Sequence, residues 1–109
     1  MKDKKWWHIR KYFKSNHHAL IVDEDNCHAN GKYYYMDITT HPAKKAKYIK
    51  LSAPINNKDE CSYVRKYVGK AFKKKFSRWI SKYEINSDDM NKIENYLKNK
   101  NNKKWKEIN

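Results

Sequence analysis

Short apolar stretches separated by polar turns predict strands in the middle of the chain. Residues 18–22 are almost wholly apolar and run into four polar residues, which is typical of a buried strand that ends in a turn. Residues 32–40 are dense in aromatic and β-branched side chains, and the Asn30-Gly31 step before them favours a hairpin. Residues 47–51 alternate polar and apolar side chains, which predicts a half-buried strand. Residues 61–68 predict a fourth strand with one partly exposed face.

The two segments that flank these strands are ambiguous. In residues 1–15 the spacing of Trp6, Ile9 and Phe13 suits a short helix, and a strand is also compatible with the pattern. Residues 76–85 fit either a last strand or a short helical turn. The pattern alone therefore leaves both segments open.

A helix is predicted to begin at Ser87. The Ser87 hydroxyl can accept a hydrogen bond from an unpaired backbone N–H of the first turn, and Asp88 and Asp89 complement the positive end of the helix dipole. The apolar residues that follow recur on one face: Met90, Ile93, Tyr96 and Leu97. We expect a helix over 87–100 and a basic tail over 101–109.

This order of elements predicts a mainly β fold with some α structure. Four strands, a short element and a helix suit a compact β-barrel, or a curved antiparallel sheet, closed by a C-terminal helix. The length fits a single domain over 1–109. Within it, 1–15 form a basic and aromatic N-terminal segment and 16–86 form the barrel.

Charge points to a polyanionic partner. The chain has 26 Lys and Arg against 12 Asp and Glu, a formal net charge of +14 on 109 residues. Such a charge opposes compaction, and a phosphate backbone would relieve the repulsion. Only three of the basic residues are Arg, and an AT-rich genome or a solvated surface would give the same lysine excess. The preferred prediction is a nucleic-acid partner, RNA before DNA.

One stretch combines cations with aromatic rings. Phe72 and Phe76 lie beside four lysines, and Arg78 and Trp79 follow them. The candidate nucleic-acid-binding residues are Lys70, Lys73, Lys74, Lys75, Arg78 and Trp79. Cations interleaved with aromatic rings suit backbone contact combined with base stacking on single strands, although such a run is often only a solvated loop.

No cofactor is expected. Cys27, His28, His41 and Cys61 are zinc-compatible residue types, but they lack the paired spacing of a zinc site. We therefore expect no metal and free thiols. The N-terminus has no apolar run of the signal-peptide kind, and no stretch approaches the ~20 apolar residues that span a bilayer. We expect a cytoplasmic protein with no membrane contact.

Three short segments, in order, resemble the MazF/PemK-like toxin family. They are residues 17–22 (HHALIV), 35–40 (YMDITT) and 62–65 (SYVR). The family consists of small SH3-like barrels, most of whose active members are metal-independent endoribonucleases. The resemblance therefore implies an SH3-like barrel that acts on single-stranded RNA, an acidic antitoxin as protein partner, and a homodimer.

The resemblance also implies site residues. Thr39 would lie beside the scissile phosphate, and Arg65 would stabilise its charge. His17 and His18 stand where the family has an Arg-Pro step, and an imidazole with a near-neutral pKa suits general acid–base catalysis. Tyr67 occupies the position of a family carboxylate.

Three functions follow from these observations. The first is a metal-independent endoribonuclease that cuts single-stranded RNA. The second is a non-catalytic nucleic-acid-binding module of a phage or mobile element, which the departures from the family pattern support. The coincidence of three ordered segments makes the endoribonuclease the preferred prediction. The third is a protein that binds an acidic protein partner by charge complementarity.

Overall fold

The part of the chain that the structure describes folds into a curved β-sheet with one α-helix. A computed structural model describes residues 7–25, 31–52, 55 and 61–108, with the side chains of the last helix described as far as residue 98. The elements within these ranges are β1 (His8–Tyr12), β2 (His18–Asp25), β3 (Lys32–Thr39), β4 (Tyr48–Lys50), β5 (Tyr63–Arg65), β6 (Gly69–Phe72), β7 (Phe76–Ile80) and α1 (Ser87–Ile108). Two 3-10 turns, Lys45–Lys47 and Lys73–Lys75, precede β4 and β7. The mainly β class with a C-terminal helix is confirmed.

All strand pairings are antiparallel. The order is β4-β5-β3-β2-β1-β7, and β6 pairs with β3 outside this path. β3 is the central strand: one edge pairs with β2, and the other is shared by β6 and β5. The predicted hairpin of β2 and β3 is confirmed by a register that runs from His18 opposite Ile38 to Asp25 opposite Lys32. The pairings give an open sheet that ends at β4 and β7.

The link between β6 and β7 requires the sheet to curve. These strands are four spacings apart along the path β6-β3-β2-β1-β7, which would be about 19 Å in a flat sheet. The four residue steps from Phe72 to Phe76 reach at most about 14 Å. Curvature therefore brings β7 back over β3. The rings confirm this, because the Phe76 ring lies 5.7 Å from that of Tyr33 and 5.5 Å from that of Tyr35.

Both faces of the central strands are buried. The outer face of β2 and β3 packs against α1, and this core includes Leu20, Met36, Ile93 and Leu97. The inner face, which we call the concave face, carries a second cluster of Ala19, Ile21, Tyr33 and Phe76, with Tyr12 and Tyr35 packed against it. Two buried faces explain why residues 18–22 form a continuous apolar run instead of alternating.

Several boundaries differ from the expectations. The N-terminal segment contributes a strand, since β1 pairs with β2 on one side and β7 on the other. Residues Gly69–Phe72 form a strand where the sequence predicted only a basic stretch. The predicted fourth strand shrinks to Tyr63–Arg65, and α1 continues to Ile108 instead of ending at residue 100.

The predicted cap at Ser87 is wrong, because Asn86 caps α1. The Asn86 side-chain oxygen accepts the Asp89 N–H at 2.8 Å, and its carbonyl accepts the Met90 N–H at 2.9 Å. Asn86 also donates through Nδ2 to the Ser52 hydroxyl at 3.0 Å. The start of the helix is therefore joined to Ser52, two residues after the end of β4.

We expect Asn86→Ala to lower the free energy of unfolding by about 1 kcal/mol, because the Asp89 N–H then loses its acceptor. Ser87→Ala removes only an exposed hydroxyl and should change it by less than about 0.5 kcal/mol. Urea denaturation of both variants checks this. Equal losses would mean that the two residues share the capping role.

Candidate nucleic-acid interface

An exposed aromatic platform lies on the end strand β7. Trp79 keeps 44% of its surface exposed. The Lys11 ammonium from β1 lies 4.9 Å from the centre of its ring, and the His18 ring from β2 meets it edge-on at 5.7 Å. Lys11 and His18 are directly opposite each other in the β1–β2 ladder. Three neighbouring strands thus each supply one side chain to this group, which we call the Trp79 platform.

A cleft of about 460 Å³ adjoins the platform. Its lining comes from β1, the β1–β2 turn and β7: Lys11, Tyr12, Lys14, Ser15, Asn16, Ser77 and Trp79. Lys14 has a φ of 56°, a left-handed conformation that is uncommon for lysine and marks a tight turn. The cleft thus places two ammonium groups and several hydrogen-bonding side chains next to an exposed ring.

The surroundings of His18 favour the neutral form of its ring. Partial burial lowers the pKa of His18 below its usual value, and the charge of Lys11 lowers it further. The imidazole is therefore uncharged at pH 7, and Lys11 is the cation that contacts the Trp79 ring.

The lowered pKa of His18 makes stability depend on pH. Above pH ~6.5 the ring is neutral in both the folded and the unfolded chain. As the pH falls below ~6.5 towards the lower pKa of the folded chain, the unfolded chain binds a proton more readily, so the free energy of unfolding decreases. Urea denaturation at pH 7 and pH 5 should show a smaller loss for His18→Gln than for the native chain. Equal losses would exclude this contribution from His18.

The predicted binding residues lie in different surroundings. Lys70 and Lys73 form ion pairs of 3.0 Å with Asp25 and Glu24, at the far end of β2. The backbone carbonyl of Lys75 accepts the Phe13 N–H at 2.8 Å, which places Lys75 next to the β1–β2 turn that lines the cleft.

The other members of the predicted set are exposed. Lys74 lies with its ammonium 5.7 Å from the centre of the Phe72 ring. Arg78 precedes Trp79 in β7, so the two side chains leave the strand on opposite sides. Of the predicted set, Trp79 lines the cleft and Lys75 lies next to it.

The four predicted catalytic residues are not gathered on one face. His18 is opposite Ile38, whose side chain belongs to the core beneath α1, so Thr39 projects from the other face. Arg65 alternates with the buried Val64, which pairs with Ile38, and it therefore shares the face of Thr39. His17 lies in the turn before β2 and is exposed. The sheet separates His18 from Thr39 and Arg65.

A polar contact on the concave face did not emerge from the sequence. The Tyr12 hydroxyl donates to the Asp37 carboxylate. Burial raises the pKa of Tyr12 far above its usual value, and the Asp37 hydrogen bond and charge raise it further. The hydroxyl is therefore a fixed donor that holds Asp37. The sequence carries no signal for this pair, because the two residues come together only through the pairing of β1, β2 and β3.

Lys11 was also missed. It lies among Trp7, Tyr12 and Phe13, and this mixture of cations and rings was the available signal. Its role depends on β1 lying between β2 and β7, which residue spacing alone does not fix.

Within the described ranges, no three His, Cys, Asp or Glu side chains are grouped so that they could hold a metal ion. Cys27 and His28 lie outside those ranges, and Cys61 is a free, exposed thiol. Of the helical structure that is described, no part is both long and apolar enough to cross a bilayer.

Comparison of the chain with protein-family models, curated proteins and solved structures gave no significant match. The function is therefore inferred from the residues themselves.

Proposed function

We propose that this protein binds single-stranded RNA through the Trp79 platform and its cleft. The observation that carries the proposal is the half-exposed Trp79 ring, which lies beside Lys11 and lines a cleft together with Lys14. Stacking of a base on an aromatic side chain contributes ~1–3 kcal/mol, and nearby ammonium groups hold the phosphates. The net charge of +14 supports the same partner.

A single strand fits this surface better than a duplex. An exposed ring can stack only with a base that has left its own stack, and such bases occur in single strands, loops and ends. The preference for RNA over DNA is supported by the resemblance of three segments to the MazF/PemK-like toxin family. An SH3-like relationship of the curved sheet is part of the same proposal, supported by the return of β7 over β3.

Endoribonuclease activity is the second candidate. Thr39 and Arg65 share one face of the sheet, which favours it, whereas His18 lies on the other face and cannot serve the same phosphate. We therefore favour binding without cleavage. Incubation with a mixed single-stranded RNA in EDTA tests the choice: cleavage that is lost in Arg65→Ala would establish the nuclease, and intact but bound RNA would support the binding module.

Trp79→Ala is expected to weaken binding of a single-stranded RNA by about 5- to 150-fold, the range for loss of one stacked base. Trp79→Phe keeps a ring and should retain most of the affinity. Ile80→Ala is the matched control, since Ile80 is the next residue of β7, is also half exposed and cannot stack. Fluorescence anisotropy at fixed salt measures all four proteins.

Equal effects of Trp79→Ala and Ile80→Ala would contradict the platform. Affinity for the native chain should also fall steeply as salt rises, because phosphate contacts release counterions. An acidic protein that displaced RNA stoichiometrically would support the alternative of an antitoxin-like partner. Sedimentation of the free protein would test the homodimer that the resemblance implies.

A further inference from the structure

A second cationic cleft lies near the other end of the sheet. It has a volume of about 520 Å³ and is lined by Ala46, Lys47, Arg65, Lys66, Tyr67 and Tyr96. Its walls come from the 3-10 turn before β4, from β5 and the residues after it, and from α1. Among these six residues are three cations and two phenol rings, and none of the six is a carboxylate.

The cleft is held in shape by hydrogen bonds to backbone carbonyls. The Lys66 N–H donates to the Lys47 carbonyl at 2.9 Å, which joins two of the walls. The Tyr96 hydroxyl donates to the Lys66 carbonyl at 2.9 Å, which ties α1 to the same residue. The Tyr67 N–H donates to the Arg65 carbonyl at 2.8 Å, a tight turn that fixes the two side chains together. The site is thus preformed without a ligand.

The side chains combine a stacking surface with anion recognition. The Arg65 guanidinium lies 5.3 Å from the centre of the Tyr67 ring, and Tyr67 keeps 53% of its surface exposed. A guanidinium can contact a phosphate through two parallel hydrogen bonds, and a nucleic-acid base can stack on an exposed ring. A lone anion would use the cations only, whereas a nucleotide would use both the cations and the ring.

We infer that the cleft of Arg65 and Tyr67 is a second nucleotide subsite, which binds another part of the RNA strand held at the Trp79 platform. The inference rests on the proposed function, because it assigns the distal contact of the same ligand. Arg65 contacts a phosphate, Tyr67 stacks with a base, and Lys47 and Lys66 supply further positive charge.

The spacing of the two sites sets the length of strand required. β5 and β7 are four strand spacings apart, about 19 Å along the sheet. The RNA strand must also pass round an edge of the sheet, because Arg65 lies on the opposite face from His18 of the platform. A stacked strand advances about 3.4 Å per nucleotide, so four nucleotides cover about 10 Å and twelve about 37 Å. The longest dimension of the molecule is 38 Å. A 12-mer can therefore reach both sites, whereas a stacked 4-mer reaches one.

The experiment compares the affinities of uridine 4-mers and 12-mers for the native chain, Tyr67→Ala and Trp79→Ala. The native chain should bind the 12-mer at least about tenfold more tightly than the 4-mer, because the second contact forms at high effective concentration. Tyr67→Ala should weaken 12-mer binding by about 5- to 150-fold and abolish most of this advantage. Tyr67→Phe keeps the ring and should bind like the native chain.

Charge is tested separately through the salt dependence. Arg65→Gln should reduce the slope of log affinity against log salt for the 12-mer by about 0.7, the value for one phosphate contact on a single strand. Lys98→Gln removes the same charge from an exposed position of α1 outside both clefts and should leave the slope nearly unchanged.

The outcomes separate this inference from the proposed function. If Trp79→Ala weakens the 12-mer but Tyr67→Ala and Arg65→Gln do not, the second subsite is excluded and the platform stands. If Trp79→Ala has no effect on either strand, the proposed function fails. If a 12-residue polyglutamate binds as tightly as the 12-mer with the same dependence on Tyr67, the cleft recognises acidic peptides and the assignment to RNA is overturned.

Discussion

Replacing Gly69 with alanine is expected to lower the free energy of unfolding by about 1–3 kcal/mol. Gly69 in β6 lies directly opposite Tyr35 in β3, and the Tyr35 ring folds across it. A Cβ atom at Gly69 would stand 2.5 Å from Cζ of that ring and 2.7 Å from its hydroxyl oxygen. The ring cannot move freely, because it packs edge-to-face against the rings of Tyr12 and Phe76.

The effect is steric and not conformational. Among the described glycines, only Gly31 has a positive φ, so the backbone of Gly69 accepts alanine without strain. In the Tyr35→Leu variant the side chain opposite residue 69 is smaller. Gly69→Ala should therefore lower the free energy of unfolding by much less. A double-mutant cycle by urea denaturation should therefore give a coupling of about 1 kcal/mol or more. A coupling near zero would mean that the loss does not come from the contact with Tyr35.

Residues 69–72 also show why part of the fold was not predictable. They contain one glycine, one lysine and two apolar residues, which is no strand signal by itself. They become β6 only because the open edge of Lys32–Tyr35 offers hydrogen-bond partners. By contrast, β2 and β3 were predicted, because burial of both faces makes residues 19–22 of β2 continuously apolar and fills β3 with aromatic residues.

The candidate site was also predictable only in part. Trp79 stood out in the sequence, because a tryptophan after a run of lysines suits a single-stranded partner. Its contact with Lys11 depends on the pairing of two strands that are far apart in the chain. Alternation along a strand places neighbouring residues on opposite faces, but the relation of His18 to Thr39 required the register of β2 on β3. Residue types were therefore predictable, and their grouping was not.

Asp89→Ala is expected to lower the free energy of unfolding by about 1.5–3 kcal/mol, the range for hydrogen bonds to a charged group. Asp89 is 1% exposed, and both of its carboxylate oxygens accept the Ser52 N–H at 2.9 Å. Removing the carboxylate leaves this N–H unpaired beneath the helix. For a chain of this size, each kcal/mol corresponds to about 4–8 °C in Tm, which calorimetry resolves easily.

Asp88 provides the matched control for the buried carboxylate. Both aspartates lie in the first turn of α1 and complement its dipole, but Asp88 is exposed. Asp88→Ala should therefore cost only the dipole contribution, about 0.3–1 kcal/mol. Asp89→Asn keeps one acceptor oxygen, so its free energy of unfolding should lie between those of the two alanine variants. If Asp88→Ala and Asp89→Ala were equally destabilising, the helix dipole would account for both, and the hydrogen bonds to Ser52 would contribute nothing to holding α1 on the sheet.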